Sequence, residues 1–216
     1  MWPRDHAYYS RNNWAGKLKV GDAKVNDSPF NNAVAHDLMM MLFLAGPEFR
    51  SAANIEKVEG KLYRANEIES TDTAFLKLQT SLGKELFFYC THACLEQFGP
   101  EIVVKGSEGI MKMSHKSVQI IPDNGETLKI QADDMRQCMM DAIVDVLNGG
   151  DSFTVGLDIA KRQTQVVEEI FSKQKVVPLQ GELKTSKVSS LSTYLPDIEK
   201  NMRIAFEEEN SLSLEL

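Results

Sequence analysis

Apolar positions along this chain keep first a helical period, then a strand period, then a helical one again. Residues 1–27 are polar and aromatic, with a short strand expected at Lys17–Val20 closed by "GDAK". From Pro29 to about Ala45 the stretch "PFNNAVAHDLMMMLFLA" is apolar on most faces, which predicts a buried helix. Asp27 or Ser28 is placed to cap it, and Pro29 suits the fixed φ of a first turn. Gly46-Pro47 stops it. Two amides and a histidine, Asn31, Asn32 and His36, nevertheless sit at its head.

Between about residues 54 and 131 the period becomes two. In "EKVEGKLYRAN" Val58, Gly60 and Leu62 alternate with charged residues. "TAFLKLQTS" and "KELFFYCTHAC" flank Leu82-Gly83 as a hairpin, and "EIVVKGSEG" reads as another strand. In "SVQIIPDNGETLKIQ", Asn124-Gly125 supplies two residues that tolerate positive φ between alternating strands. Six or seven strands joined by hairpin-like turns predict a largely antiparallel sheet.

The last third returns to the helical period. "ADDMRQCMMDAIVDVLNGG" carries Met135, Met139, Ile143, Val146 and Leu147 on one face. "SFTVGLDIAKRQTQVVEEIFSK" does the same with Ile159, Val166, Val167 and Ile170. "KVVPL" is a short strand, residues 180–192 a loop, and "LPDIEKNMRIAFEEEN" a final amphipathic helix with a solvated acidic end at Glu207–Glu209. Helix, strands, then helices predicts an α+β domain: an open, mostly antiparallel sheet with helices on one face. The other face is left to solvent or to another subunit.

Composition narrows the partners more than the fold. With 216 residues the chain suits one large domain or two small ones. A net charge of -7 disfavours nucleic acid and anionic membranes, which want a basic surface. The longest apolar run falls far short of the ~20 residues of a membrane span. "MWPRDHAYYSRNNW" has no apolar core of a signal peptide. Cys90, Cys94 and Cys138 cannot all pair with one another, so free thiols in a reducing, cytoplasmic compartment are expected. Neither a G-x-G-x-x-G after a strand nor a P-loop occurs.

Candidate chemistry gathers near the start. On a helix, Asn32, His36 and Met40 or Phe43 share one face. A histidine there presents a ring nitrogen to a cleft and titrates near neutral pH, although a core histidine bonded to a carbonyl fits the same pattern. The first residues crowd together Arg4, His6, Tyr9, Arg11, Trp14 and Lys17 with Trp2, Tyr8, Asn12 and Asn13. Aromatic faces beside amides and cations suit a sugar or polyol, whose C–H faces stack and whose hydroxyls bond; a surface arm or edge strand is the plain alternative. In "CTHAC" a strand turns Cys90, His92 and Cys94 to one face. A structural zinc wants four ligands, so the thiols are read as packed residues and no metal is expected. His115 lies in a turn with no partner signal. The ten methionines are assigned to core faces of helices.

Taken together, "RDHAYYSRNNWAGKLK", "DSPFNNAVAHDLMMMLFLAG", "THA…FGPEIVVKGSEG" and "LNGGDSFTVGLDIAKRQTQVVEEIF" resemble the C-terminal part of the glucose–fructose oxidoreductase / inositol dehydrogenase (Gfo/Idh/MocA) family. The resemblance covers most of residues 2–178, in order. It implies a dihydrodipicolinate-reductase-like C-terminal domain over 1–216, preceded in relatives by a Rossmann domain that holds NAD or NADP and a lysine from a Glu-Lys-Pro motif. That first domain is absent from this chain, which begins abruptly, as a cloned fragment would.

The resemblance further implies a reaction at a sugar, glycoside or cyclitol hydroxyl, with hydride passing to the nicotinamide. His36 matches the family's acid/base histidine of an Asp-x-x-x-His pattern. Asn32 stands where the aspartate usually is, so it can bond a hydroxyl but supplies no negative charge. Asn31, Arg4, His6, Tyr9, Arg11, Trp14, Lys17 and His92 are the expected substrate-binding residues. The resemblance also implies a homo-oligomer through the open sheet face. The isolated chain is expected to bind no cofactor and to lack dehydrogenase activity. The alternative is a non-catalytic carbohydrate-binding or self-association domain.

Overall fold

The computed structural model describes residues 1–186 and 191–210. In chain order the elements are α1 (His6–Ser10), β1 (Lys19–Val20), β2 (Ala23–Lys24), a 3-10 turn (Pro29–Asn31), α2 (Ala35–Leu44), β3 (Ile55–Arg64), β4 (Thr73–Thr80), β5 (Glu85–Thr91), β6 (Glu101–Gly106), β7 (Gly109–Ser114), β8 (Ser117–Pro122), β9 (Leu128–Gln131), α3 (Met135–Leu147), α4 (Leu157–Lys173), β10 (Val176–Pro178), β11 (Lys184–Ser186), β12 (Ser192–Tyr194) and α5 (Ile198–Glu208). The class is α+β, as expected. The chain divides into two compact units, Met1–Phe98 with Leu157–Leu216, and Gly99–Gly156.

The first unit is built on a sheet ordered β10-β3-β4-β5. β3, β4 and β5 are antiparallel neighbours, and β10 joins β3 in parallel. Leu82-Gly83 makes the expected hairpin, with Gly83 at φ +75, a conformation glycine adopts freely. Alternation sends Val58, Leu62, Ala74, Leu76, Leu78, Phe88 and Cys90 to one face, where they pack with Phe30, Leu38 and Leu42 and with Val166, Val167 and Ile170 of α4. These apolar side chains leaving water supply the main stabilisation of the unit.

The opposite face is not bare. Phe75 packs there with Met202 and Ala205 of α5, alongside Phe87 and Tyr89. Beyond them the same face carries the ion pairs Lys57–Glu59 and Lys77–Glu85.

The second unit holds a four-stranded antiparallel sheet, β6-β7-β8-β9, and α3. Ser117–Pro122 pairs with Leu128–Gln131 around the Asn124-Gly125 turn, as the pattern predicts. The seven strands from β3 to β9 therefore lie in two sheets rather than one.

Five local expectations need correction. The helix expected from Pro29 begins at Ala35, because the chain first makes a 3-10 turn. Asn32 leaves that turn at φ -139, ψ -89, with its side chain bonded to Asp27, a local bond that competes with helix. Helix α2 is buried along one stripe only: Leu38 and Leu42 are inaccessible, while Met40 is exposed. The expected strand at Lys17–Val20 is a two-residue arm of a small hairpin with Ala23–Lys24. Within the expected loop 180–192, Lys184–Ser186 pairs with a strand that starts at Ser192, and residues 187–190 lie outside the described residues. The methionines of α3 are exposed, not core: Met135, Met139 and Met140 all face solvent.

Candidate functional site

The strand ends of the first sheet form a buried polar layer. Asp72, entering β4, is fully buried. Its carboxylate accepts bonds from the backbone N–H of Ala65 and Asn66 (3.0 and 2.9 Å), from the Asn66 amide (2.8 Å) and from the Thr73 hydroxyl (3.1 Å). Burial pushes its pKa up, against the pull of those donors. The Asp72 carbonyl accepts the His92 N–H at 2.8 Å, which fixes the residue that follows β5.

His92 is buried, and its Nδ1 lies 3.2 Å from the Tyr9 hydroxyl. Its Nε2 has no hydrogen-bond partner among the described residues. Burial first, then the positive charges of Arg4, the N-terminus and Arg11, depress its pKa to about 3. The ring is therefore neutral at physiological pH. Burial, with Asp72 nearby, raises the Tyr9 hydroxyl pKa, so the phenol keeps its proton.

The N-terminal segment runs beside these strand ends. Trp2 N–H donates to the Thr91 carbonyl (2.9 Å) and Arg4 N–H to the His92 carbonyl (3.2 Å). Asp5 caps α1 by accepting the Tyr8 N–H at 2.7 Å. The Arg4 guanidinium lies 3.9 Å from the Trp2 ring centre and 4.6 Å from that of Tyr8. The Arg11 guanidinium sits 3.6 Å from the Tyr8 ring centre and 4.9 Å from that of Trp14. Tyr8 also meets His92 edge-to-face at 5.7 Å.

A second group stands at the loop before α2. Asp27 is buried and accepts the Gly16 N–H (2.7 Å) and the Asn32 amide N–H (3.0 Å). Gly16 has φ +69, and a Cβ there would fall 2.6 Å from the Ile68 side chain, so only glycine fits. The Asn31 amide donates to the Val25 and Asn26 carbonyls and faces Gln163 of α4.

The predicted residues thus separate. Arg4, Tyr9, Arg11, Trp14 and His92 share one aromatic and cationic cluster. Asn31 and Asn32 belong to the Asp27 loop rather than to the helix face of His36. His36 is exposed on the first turn of α2, with no hydrogen bond among the described residues. His6 bonds Thr193 through Nε2 at 2.9 Å, and Lys17 pairs with Glu69 at the surface. Cys90 and Cys94 do not share a face: β5 ends at Thr91, and the two thiols sit in different core clusters. Burial pushes both thiols up to about 12, as packed, unreactive residues require. Asp27 and Asp72 are the polar residues the sequence hid. Asp27 reads in sequence as a helix cap, Asp72 belongs to no motif, and no local pattern signals a carboxylate that collects donors from distant segments.

Among the described residues no group of His, Cys, Asp and Glu is arranged to hold a metal ion. No helix among them is long and apolar enough to cross a membrane. The chain by itself does not fit a nicotinamide dinucleotide. Such a ligand wants a glycine-rich turn between a parallel strand and a helix, whereas the single parallel pairing among the described residues, β10 with β3, has no such turn. A groove of about 470 Å³ lined by Asn54, Arg162, Gln165 and Glu169 lies along α4, apart from the polar layer.

No family model and no curated protein sequence matches the chain. Solved structures do. The WlbA dehydrogenase from Bordetella pertussis, solved with NADH and UDP-GlcNAcA, matches at 18% identity over 79% of this chain and 49% of its own, with a TM-score of 0.54. UDP-N-acetylglucosamine 3-dehydrogenase GnnA from Acidithiobacillus ferrooxidans matches at 12% over 74% and 50%, with a TM-score of 0.55. A 3-ketoreductase from Actinomadura kijaniata, solved with TDP-benzene and NADP, matches at 13% over 70% and 49%, with a TM-score of 0.51. The chain spans about half the length of the solved chains it matches. It has the α+β fold of the C-terminal domain of Gfo/Idh/MocA-type NAD(P)-dependent oxidoreductases.

Proposed function

We propose that this chain is the substrate-side domain of an NAD(P)-dependent oxidoreductase acting on a sugar, glycoside or cyclitol hydroxyl. The cofactor, NAD or NADP, belongs to a Rossmann half beyond this chain. The observation that carries the reading is the built polar layer at the strand ends, where Tyr9, His92 and Arg4 meet an aromatic segment; a second group, in which Asp27 holds Asn32, stands at the loop before α2. Rings stack on sugar C–H faces while fixed donors and acceptors sort the hydroxyls.

In this reading His36 takes the proton from the reacting hydroxyl. It is accessible, and helix α2 is anchored by Leu38 and Leu42, so its backbone is held in place. Asn32 binds a hydroxyl through its amide oxygen, while one of its two N–H groups is held by Asp27. Asp27 thereby brings a carboxylate next to Asn32, where Asn32 itself has none.

The test is nicotinamide reduction by the full-length protein with a panel of sugars and both cofactors. His36→Ala is expected to lower kcat by ~10²–10⁴, the usual share of a general acid or base. Because His36 is exposed, the unfolding midpoint should stay in place. Unchanged turnover overturns the assignment.

A second reading, self-association without catalysis, is favoured by the exposed apolar stripe of α3. Association through the part of the sheet face that carries Lys57–Glu59 and Lys77–Glu85 belongs to the same reading. Turnover with neither cofactor, together with a concentration-dependent sedimentation coefficient, selects this reading.

A further inference from the structure

We infer that the Arg4–Arg11–His92 cluster binds an oxyanion, so that the substrate is an acidic or phosphorylated sugar rather than a neutral one. The inference deepens the reading above and rests on it for the sugar part.

Both guanidiniums lie against the Tyr8 ring, at 4.6 and 3.6 Å from its centre. Like charges held this close repel, yet neither arginine has an acidic partner among the described residues. This happens in a chain whose net charge is -7, where carboxylates outnumber cations. Stacking on rings uses the flat faces of a guanidinium. Arg11 spends one N–H on the Tyr8 carbonyl, and the other N–H groups of the two edges are left for the bonds that carboxylate and phosphate accept.

The buried nitrogens point the same way. Tyr9 O–H and His92 Nδ1 share one hydrogen bond, and with the phenol as its donor the ring proton rests on Nε2. His92 Nε2 and Arg4 Nε are then neighbouring buried N–H donors, each without an acceptor. A buried donor left unpaired costs more than a bond made, so a site with two of them, beside two unneutralised cations, is built for oxygen acceptors carrying negative charge. A neutral hydroxyl satisfies the donors but not the charges.

Isothermal titration of the intact protein, without nicotinamide, tests this with D-glucuronate, uridine diphosphate and D-glucose as separate probes. At least one anion is expected to bind tenfold or more tightly than D-glucose, and Arg11→Gln is expected to abolish most of that preference. Arg11 is exposed, so this variant keeps the fold; Arg4→Gln, checked by its melting curve, should act likewise. A preference for glucuronate identifies a carboxylate, and one for uridine diphosphate alone a phosphate. Equal affinity for all three probes, no anion binding at millimolar concentration, or a preference untouched by Arg11→Gln overturns the inference. A protein that binds the anion but never turns over nicotinamide fails the dehydrogenase reading alone. One that oxidises neutral sugars with no anion preference fails this inference alone.

Discussion

Helix α4 buries Ile159, Val166, Val167 and Ile170 beneath the first sheet. Helix α3 carries a stripe of its own, Met135, Met139, Ile143, Val146 and Leu147, and buries none of it. Both helices are capped or charged as helices should be: Asp134 accepts two N–H bonds at the head of α3, and α4 starts with Asp158 and ends with Lys173. The difference lies outside the helices. Against α4 stand Val58, Leu62 and Leu76 from a sheet whose strands are tied at both ends. In the second unit no residue from Gly99 to Gly156 is fully buried. An amphipathic stripe states that a face wants covering and says nothing of what covers it. An exposed apolar stripe of this extent is a face that a covering surface would take out of water.

The contrast has consequences that measurement can break. Ile170→Ala empties a fully enclosed position and should cost about 2–5 kcal/mol in denaturant unfolding. A loss near zero would mean that the α4 packing is not the core of the unit.

The polar layer gives the next effect, in the pH dependence of stability. His92 has a folded pKa near 3, below the ~6.5 of the unfolded chain. Between those values the unfolded state binds the extra proton, so this contribution is complete above about pH 6.5 and is lost as pH falls towards 3. From pH 6.5 to 5 the loss is about 2 kcal/mol, at roughly 1.4 kcal/mol per unit. Denaturant midpoints at the two pH values should therefore separate less in His92→Gln than in the parent. Equal separations would mean that the histidine is already charged or solvated.

The smallest effect sharpens the comparison most. Ile143→Ala on α3 should change stability by only about 0.5 kcal/mol or less, as an exposed substitution does. If it costs as much as Ile170→Ala, and the cost grows with protein concentration, a second copy covers the α3 stripe.

Much of the framework was legible in the chain. The four buried positions of α4, the Leu82-Gly83 turn and the Asn124-Gly125 hairpin all follow from period and turn chemistry, which act over a few residues. The site was legible in part. Arg4, Tyr9, Arg11 and Trp14 crowd together in the sequence itself, whereas their meeting with His92 depends on the N-terminal segment running beside the end of β5. The helical face joining Asn32 to His36 did not form, because the amide of Asn32 finds a carboxylate five residues back before the helix begins. Asp72 went unnoticed because its four donor groups are turned towards it by the fold of a loop, not by spacing.

By itself, then, the sequence determined which segments are helix or strand, which residue types crowd near the start, and that no glycine-rich phosphate turn is present. These depend on backbone preference and side-chain periodicity, which are local. Only the tertiary structure decided that seven successive strands divide between two sheets, that α5 packs behind Phe75, that the α3 stripe is exposed, and that His92 lies neutral and buried near Arg4 and Arg11, which pair with no acid among the described residues. Burial and charge are sums over groups far apart along the chain, and a group's environment exists only once those segments have been brought together.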